Sequence, residues 1–156
     1  MKNEHAYNIK LVWKGITTID KRNHLKYTRI YELSFDNKPN LMGSADAMFH
    51  GDKTLYNPEE MLLSALSACY MMSFFYLCGL KNIKIKSYTD TPTGLVKVNP
   101  NGSGQFENVS LQPKISIQSC DAKKVEEALA EAHDYCFIAR SCNFKITHRS
   151  KITYND

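Results

Sequence analysis

The sequence predicts an α+β fold in which a long central apolar helix and a second, amphipathic helix pack with antiparallel sheets. Three observations predict it. Residues 61–80 contain no charged side chain and follow a helix-start signal, residues 125–136 carry apolar side chains at helical spacing, and the segments around them alternate apolar with polar residues. The 156 residues are 43% hydrophobic and 23% charged, a balance that excludes disordered, collagen-like and fibrous classes. A chain this long buries about 70% of its unfolded surface, enough for one core without metal or disulfide staples. A single domain over residues 1–156 is expected.

Alternation over residues 7–13, and again over 27–35 with Tyr27, Tyr31, Leu33 and Phe35 on one face, predicts two antiparallel strands. Asp20 and Asn23 mark a polar connection between them, and Asp36-Asn37-Lys38-Pro39 closes the second strand. Residues 41–56 show no period and, with Gly43, Gly51 and Asp52, read as a long loop of the kind that often carries function.

Asn57-Pro58-Glu59-Glu60 supplies an N-cap, a proline at the first helical position and acids in the first turn, so a helix starts there. It runs to Cys78 and stops at Gly79, a residue suited to the left-handed C-terminal position. Residues 61–80 are long enough to span a bilayer. Ser64, Ser67, Ser73, Tyr70, Tyr76, the acids at one end and the amphipathic flanks argue against a membrane span. A helix apolar around its whole circumference has to be enclosed on every side, and one small sheet covers only one face. A second sheet of the same chain and a partner subunit are both expected, giving an interlocked homodimer.

Further on, residues 82–88 set Ile83, Ile85 and Ser87 against Lys84 and Lys86 as a half-buried strand. Residues 95–98 and 109–117 are further strands, with Asn99-Pro100-Asn101-Gly102-Ser103-Gly104 as the turn between them. Asp121 can cap a second helix on which Val125, Leu129, Ala132 and Cys136 recur. The pattern breaks at Phe137-Ile138-Ala139-Arg140-Ser141-Cys142, and residues 144–154 alternate once more as a strand.

Charge and cysteine content narrow the function. Twenty Lys and Arg against 16 Asp and Glu give a net +4 without a basic run, so no nucleic-acid partner is expected. Lys2, Glu4 and His5 open a polar stretch with no secretory signal pattern, which reads as cytoplasmic. Cys69, Cys78, Cys120, Cys136 and Cys142 are odd in number, contain no Cys-x-x-Cys pair, and do not join the five histidines at metal-ligand spacing. Neither a disulfide framework, nor a metal, nor a cofactor is expected. Cys78 and Cys120 read as small buried hydrophobes. Cys69 in mid-helix and Cys136 at the end of the second helix leave two readings open, core filling and redox chemistry.

The segment Asn57-Pro58-Glu59-Glu60-Met61-Leu62-Leu63-Ser64-Ala65-Leu66-Ser67-Ala68-Cys69 resembles the central-helix motif of the OsmC-like family, which includes the organic hydroperoxide resistance proteins. Ala132-His133-Asp134-Tyr135-Cys136-Phe137-Ile138-Ala139-Arg140-Ser141 resembles the segment with the second family cysteine, and Val109-Ser110-Leu111-Gln112-Pro113-Lys114-Ile115 the strand before it. Tyr27-Thr28-Arg29 is similar to a Tyr-Ser-Arg stretch of one branch. The resemblance implies an OsmC-like fold and a thiol peroxidase of the oxidative stress response. Cys69 would attack the O–O bond of an organic hydroperoxide and become a sulfenic acid, Cys136 would resolve it as a disulfide, and a dithiol reductant would restore both thiols. It also implies that an Arg and the Glu of the Asn-Pro-Glu motif organise the site. Glu59 carries over directly; Arg29 is the first choice of cation, with Arg22 and His50 behind it.

Physical chemistry says why a cation is needed: burial raises any thiol's pKa, and only the thiolate is nucleophilic. Cys69 lies too deep in the helix to use the N-terminal dipole. Ten residues of helix also set Glu59 about 15 Å from Cys69, so an extended Arg between them, or the acid of a facing subunit, is required. Two departures from the family pattern stand out. Tyr70 follows the first cysteine where the resembled branch commonly has His, and Cys142 adds a third thiol near the second cysteine, read here as packing. Apolar walls would favour fatty-acid or aryl hydroperoxides. The alternative reading is a non-catalytic module of the same fold that encloses an apolar ligand.

Overall fold

A computed structural model describes residues 4–120 and 122–155. The chain forms two compact units, Met1–Met61 and Leu62–Asp156. In the first, β1 (Lys10–Trp13), β4 (Tyr31–Phe35) and β5 (Lys38–Gly43) form an antiparallel sheet in the order β1-β4-β5, with Leu11 opposite Leu33. The two strands expected at 7–13 and 27–35 are these neighbours, with the second starting at Tyr31.

The polar connection between them holds a further hairpin, β2 (Thr17–Ile19) against β3 (Leu25–Tyr27). The Asp20 side chain accepts the N–H groups of Arg22 at 2.9 Å and His24 at 3.0 Å, which turns the chain at Asn23, φ 64°. Strands of three residues are too short to show a period, so the sequence reads only the turn. The expected loop at 41–56 begins later, because β5 continues to Gly43. There a Cβ would collide with the Tyr31 ring, which reserves the position for glycine. Ser44 is fully buried, its N–H donating to the Tyr56 carbonyl at 2.9 Å and its hydroxyl accepting the Asp52 N–H at 3.0 Å.

The helix α1 (Pro58–Leu80) starts as expected. Asn57 Oδ1 accepts the Glu60 N–H at 2.8 Å and the Glu60 carboxylate accepts the Asn57 N–H at 3.3 Å, a reciprocal cap. Its end differs from expectation: Gly79 stays helical, and the left-handed residue is Asn82, φ 56°, whose N–H donates to the Gly79 carbonyl. Asn tolerates that conformation, so the helix can run to Leu80 before turning.

The second unit adds β6 (Ile85–Thr89), β7 (Thr93–Val98), β8 (Gly104–Leu111), β9 (Lys114–Gln118), α2 (Ala122–Tyr135), α3 (Phe137–Arg140), β10 (Lys145–His148) and β11 (Lys151–Asn155). Two three-stranded sheets result, β10-β8-β7 and β11-β9-β6. Gly102, φ 84°, makes the expected tight turn between β7 and β8. The stretch 109–117 is two strands, interrupted where Pro113 has no N–H to give and the Gln112 N–H goes to the Asp90 carboxylate at 2.7 Å. The stretch 144–154 is likewise two strands, β10 parallel to β8 and β11 parallel to β9. Parallel pairing arises because the chain crosses back over the sheets through α2 and α3.

Leu66, Tyr70, Phe74, Leu77 and Cys78 of α1 meet Val109, Leu111, Ile115 and Ile117 of the sheets and Val125, Ala128 and Ala132 of α2 in one core. These α1 residues recur at helical spacing along one face. Elsewhere on the helix, Met72 and Leu80 are 62% and 63% exposed. By length and composition α1 also qualifies as a membrane span, but six of its residues are buried within the fold. The residue expected to cap α2, Asp121, lies outside the described residues.

Candidate functional site

Cys69 sits half-buried in the middle of α1, and Cys136 is fully buried. Cys136 is not the last residue of α2, as expected from its spacing, but the residue after it. Its backbone is extended (φ −82°, ψ 101°), and its sulfur accepts the Ala139 N–H at 3.4 Å as the N-cap of α3. The change of direction at this corner turns the thiol inward. The two thiols interact with one another, and neither is in a disulfide. Burial pushes the Cys136 thiol up from 9.0 to about 12; the Ala139 N–H works against the rise, and the Cys69 thiol adds to it.

A cleft of about 550 Å³ opens over Cys69, walled by Met72, Ser73, Tyr76, Tyr135 and Phe137. Met72, Ser73 and Tyr76 stand three, four and seven residues after Cys69 and so share its helix face. Tyr135 and Phe137 flank Cys136, and the Tyr76 and Tyr135 rings lie 5.8 Å apart. These wall residues were not singled out by sequence reasoning, although the helical offsets from Cys69 carry the signal for three of them. No wall residue is charged. Chemically, the arrangement leaves one sulfur open to an apolar cleft, with a second thiol that interacts with the first.

Behind the thiols, Tyr70 is fully buried. Its hydroxyl donates to the Leu129 carbonyl at 3.1 Å, and burial pushes its phenol up to about 12. Asp90 accepts the Ser67 hydroxyl at 2.6 Å and the Gln112 N–H at 2.7 Å, tying α1 to the sheet edge.

The other expected site residues belong to the first unit. Glu59 lies in the first turn of α1, and its Oε2 is buried with no hydrogen-bond partner. The Tyr31 hydroxyl is in the same condition; burial first and the Glu59 charge second raise its pKa. Arg29 is exposed between β3 and β4, Arg22 is exposed in the β2–β3 turn, and His50 is exposed with φ 62°. Cys78 is core, as expected. Cys120, expected buried, is exposed, because it lies just past the end of β9. Cys142 is half-buried after α3, where burial raises its pKa. Among the described residues no three His, Cys, Asp or Glu side chains group to hold a metal ion.

With this geometry in view, the family model for OsmC-like proteins matches residues 50–151. No curated protein matches the chain. Among solved structures, an OsmC-like protein of unknown function from Vibrio cholerae is similar at 24% identity and TM-score 0.79, over 96% of this chain and 100% of that one. An OsmC-like protein from Mycoplasma pneumoniae is similar at 16% identity and TM-score 0.71, over 98% and 99% of the two chains. An organic hydroperoxide resistance protein from Elizabethkingia anophelis is similar at 17% identity and TM-score 0.69, over 99% and 100%.

Proposed function

Because the chain belongs to the OsmC-like protein family, we propose that it is a cytoplasmic thiol-dependent peroxidase that reduces organic hydroperoxides through Cys69 and Cys136. The observation that carries this reading is the interaction of the Cys136 thiol with Cys69, which itself lines an apolar cleft. The Cys69 thiolate attacks the distal oxygen of a hydroperoxide; the O–O bond breaks, sulfur is oxidised to a sulfenic acid, and the alkoxide leaves as the alcohol after taking a proton. The Cys136 thiol then displaces the hydroxyl from that sulfur, giving a disulfide and water. A dithiol reductant returns both thiols by exchange and leaves as its own disulfide. The aromatic and thioether walls favour bulky apolar hydroperoxides over hydrogen peroxide.

Glu59 and Arg29 enter from the family motif: Arg29 as the guanidinium that holds the Cys69 thiolate, and Glu59, whose Oε2 lacks a partner, as the acid that orients it. A second copy of the chain is proposed to cover the exposed α1 face.

The test is direct. Reduced protein mixed with cumene hydroperoxide loses two thiols and yields a Cys69–Cys136 disulfide by peptide mass spectrometry, and Cys69→Ser abolishes peroxide loss. A wild type that consumes no hydroperoxide under a dithiol reductant overturns the proposal. That outcome leaves the second reading, a module that binds an apolar ligand, which the absence of charge in the cleft walls favours.

A further inference from the structure

Three rings from three elements meet inside the second unit. His148 of β10 stacks on Tyr70 of α1, ring centroids 4.5 Å apart and planes 25° apart. His133 of α2 meets His148 edge-on, centroids 5.1 Å apart and planes 79° apart. The Tyr70 hydroxyl reaches on to the Leu129 carbonyl of α2 at 3.1 Å, so the cluster ties α1, α2 and β10 together. β10 needs such a tie: it is a four-residue edge strand, laddered to β8 alone. Short edge elements are the first to open in local unfolding.

His133 Nδ1 and His148 Nε2 are buried, and neither has a hydrogen-bond partner. In a neutral imidazole only one ring nitrogen carries a proton, whereas in the cation both are donors. Protonating either ring therefore sets a charged N–H at a buried position that has no acceptor, which is costly. The carboxylate that bears on His148, Asp90, already accepts the Ser67 hydroxyl on one oxygen and the Gln112 N–H on the other. Tyr88 of β6 and Cys136 bear on Tyr70, and burial holds both above their ordinary values, so in acid they carry no charge. From β8, the residue in register with His148 is the apolar Leu111. A proton on His133, which the C-terminal end of α2 favours, adds to the cost at His148.

We propose that the Tyr70–His148–His133 cluster is an acid-released latch: neutral, it holds β10 and the end of α2 against α1, and protonated, it lets that seam open. The latch is independent of the peroxide chemistry. Burial first, then His133, hold the His148 pKa below the ordinary 6.5, with Asp90 opposing. The unfolded chain thus takes up this proton before the fold does. The latch contributes fully above about pH 6.5, and its contribution is lost as pH falls from there through the lower folded value.

Hydrogen exchange read by mass spectrometry, corrected for the intrinsic effect of pH on exchange, tests this at about pH 7.5 and about pH 5. Protection of β10 and the end of α2 is expected to fall about tenfold or more at the lower pH, while β9 keeps its protection. His148→Phe keeps a ring against Tyr70 but takes no proton, so its protection of β10 should be the same at both pH values. Wild-type protection that does not change, a loss spread evenly over every strand, or a His148→Phe protein that still loses protection overturns the proposal. If His148→Phe does not fold, the assigned His148 ring-proton resonance of the wild type decides. A midpoint below 6.5 supports the latch, and one at or above 6.5 overturns it.

Discussion

Cys136 is the residue whose surroundings shape the chemistry most. Full burial makes its thiol a poor acid, so in the reduced protein it waits as S–H beside a less enclosed partner. Alkylation at about pH 8 should therefore modify Cys136 roughly a thousandfold more slowly than a thiol at the ordinary 9.0, measured by timed iodoacetamide labelling and peptide mapping. Burial also links it to stability. Cys136 at about 12 and Cys78 at about 11 both lie above the 9.0 of an unfolded thiol. Below about pH 9 both states keep these protons; above it the unfolded chain releases them and the fold retains them, so stability falls with rising pH between those values. Urea midpoints should drop between about pH 8 and 10.5, and Cys136→Ala should flatten part of the decline. The two cysteines were legible in the sequence as candidates, because each sits in a motif. The inward turn at Cys136 was not legible: helical spacing runs through the position, and the backbone leaves the helix one residue before it.

At the scale of elements, the start of α1 is the best-determined feature. Asn57-Pro58-Glu59-Glu60 encodes its own cap within four residues, and the structure has the reciprocal hydrogen bonds that such a sequence makes. Asn57→Ala should cost about 1 kcal/mol and lower the melting midpoint by about 2–4 °C by calorimetry. The link from α1 to the sheets rests on Asp90, which accepts the Ser67 hydroxyl and the Gln112 N–H in the half-buried rim of the unit. Asp90→Ala strands both donors and should destabilise by about 2–3 kcal/mol in urea titration, while Asp90→Asn, which keeps one acceptor, should cost less. Elements defined by long-range pairing were harder to read. β2 and β3 are three residues each, and the breaks that split 109–117 and 144–154 into two strands reflect which sheet each half joins. Neither fact is written in local periodicity, which reports alternation but not the partner strand.

For the whole molecule, the decisive quantity is uncovered apolar surface. Met72, Tyr76 and Leu80 on α1, together with Phe137 at 78% exposure, leave a patch that a soluble monomer rarely carries. A second copy of the chain is expected to cover it, so light scattering at micromolar concentration should give twice the 17.8 kDa of one chain. Leu80→Glu should shift that mass toward the monomer, and a wild-type monomer would remove the dimer proposal. The sequence by itself determined the α+β class, the capped apolar helix, the family and the two motif cysteines. Each of these rests on local chemistry: a cap, a period, a run of side chains. Only the tertiary structure decided which face of α1 is core, because a helix apolar on all sides carries no directional signal. It also decided that two thiols 67 positions apart interact with one another, and that two histidines from different elements meet edge-on. Contacts of that kind are set by how sheets and helices close around a common core, and no stretch of chain holds the information alone.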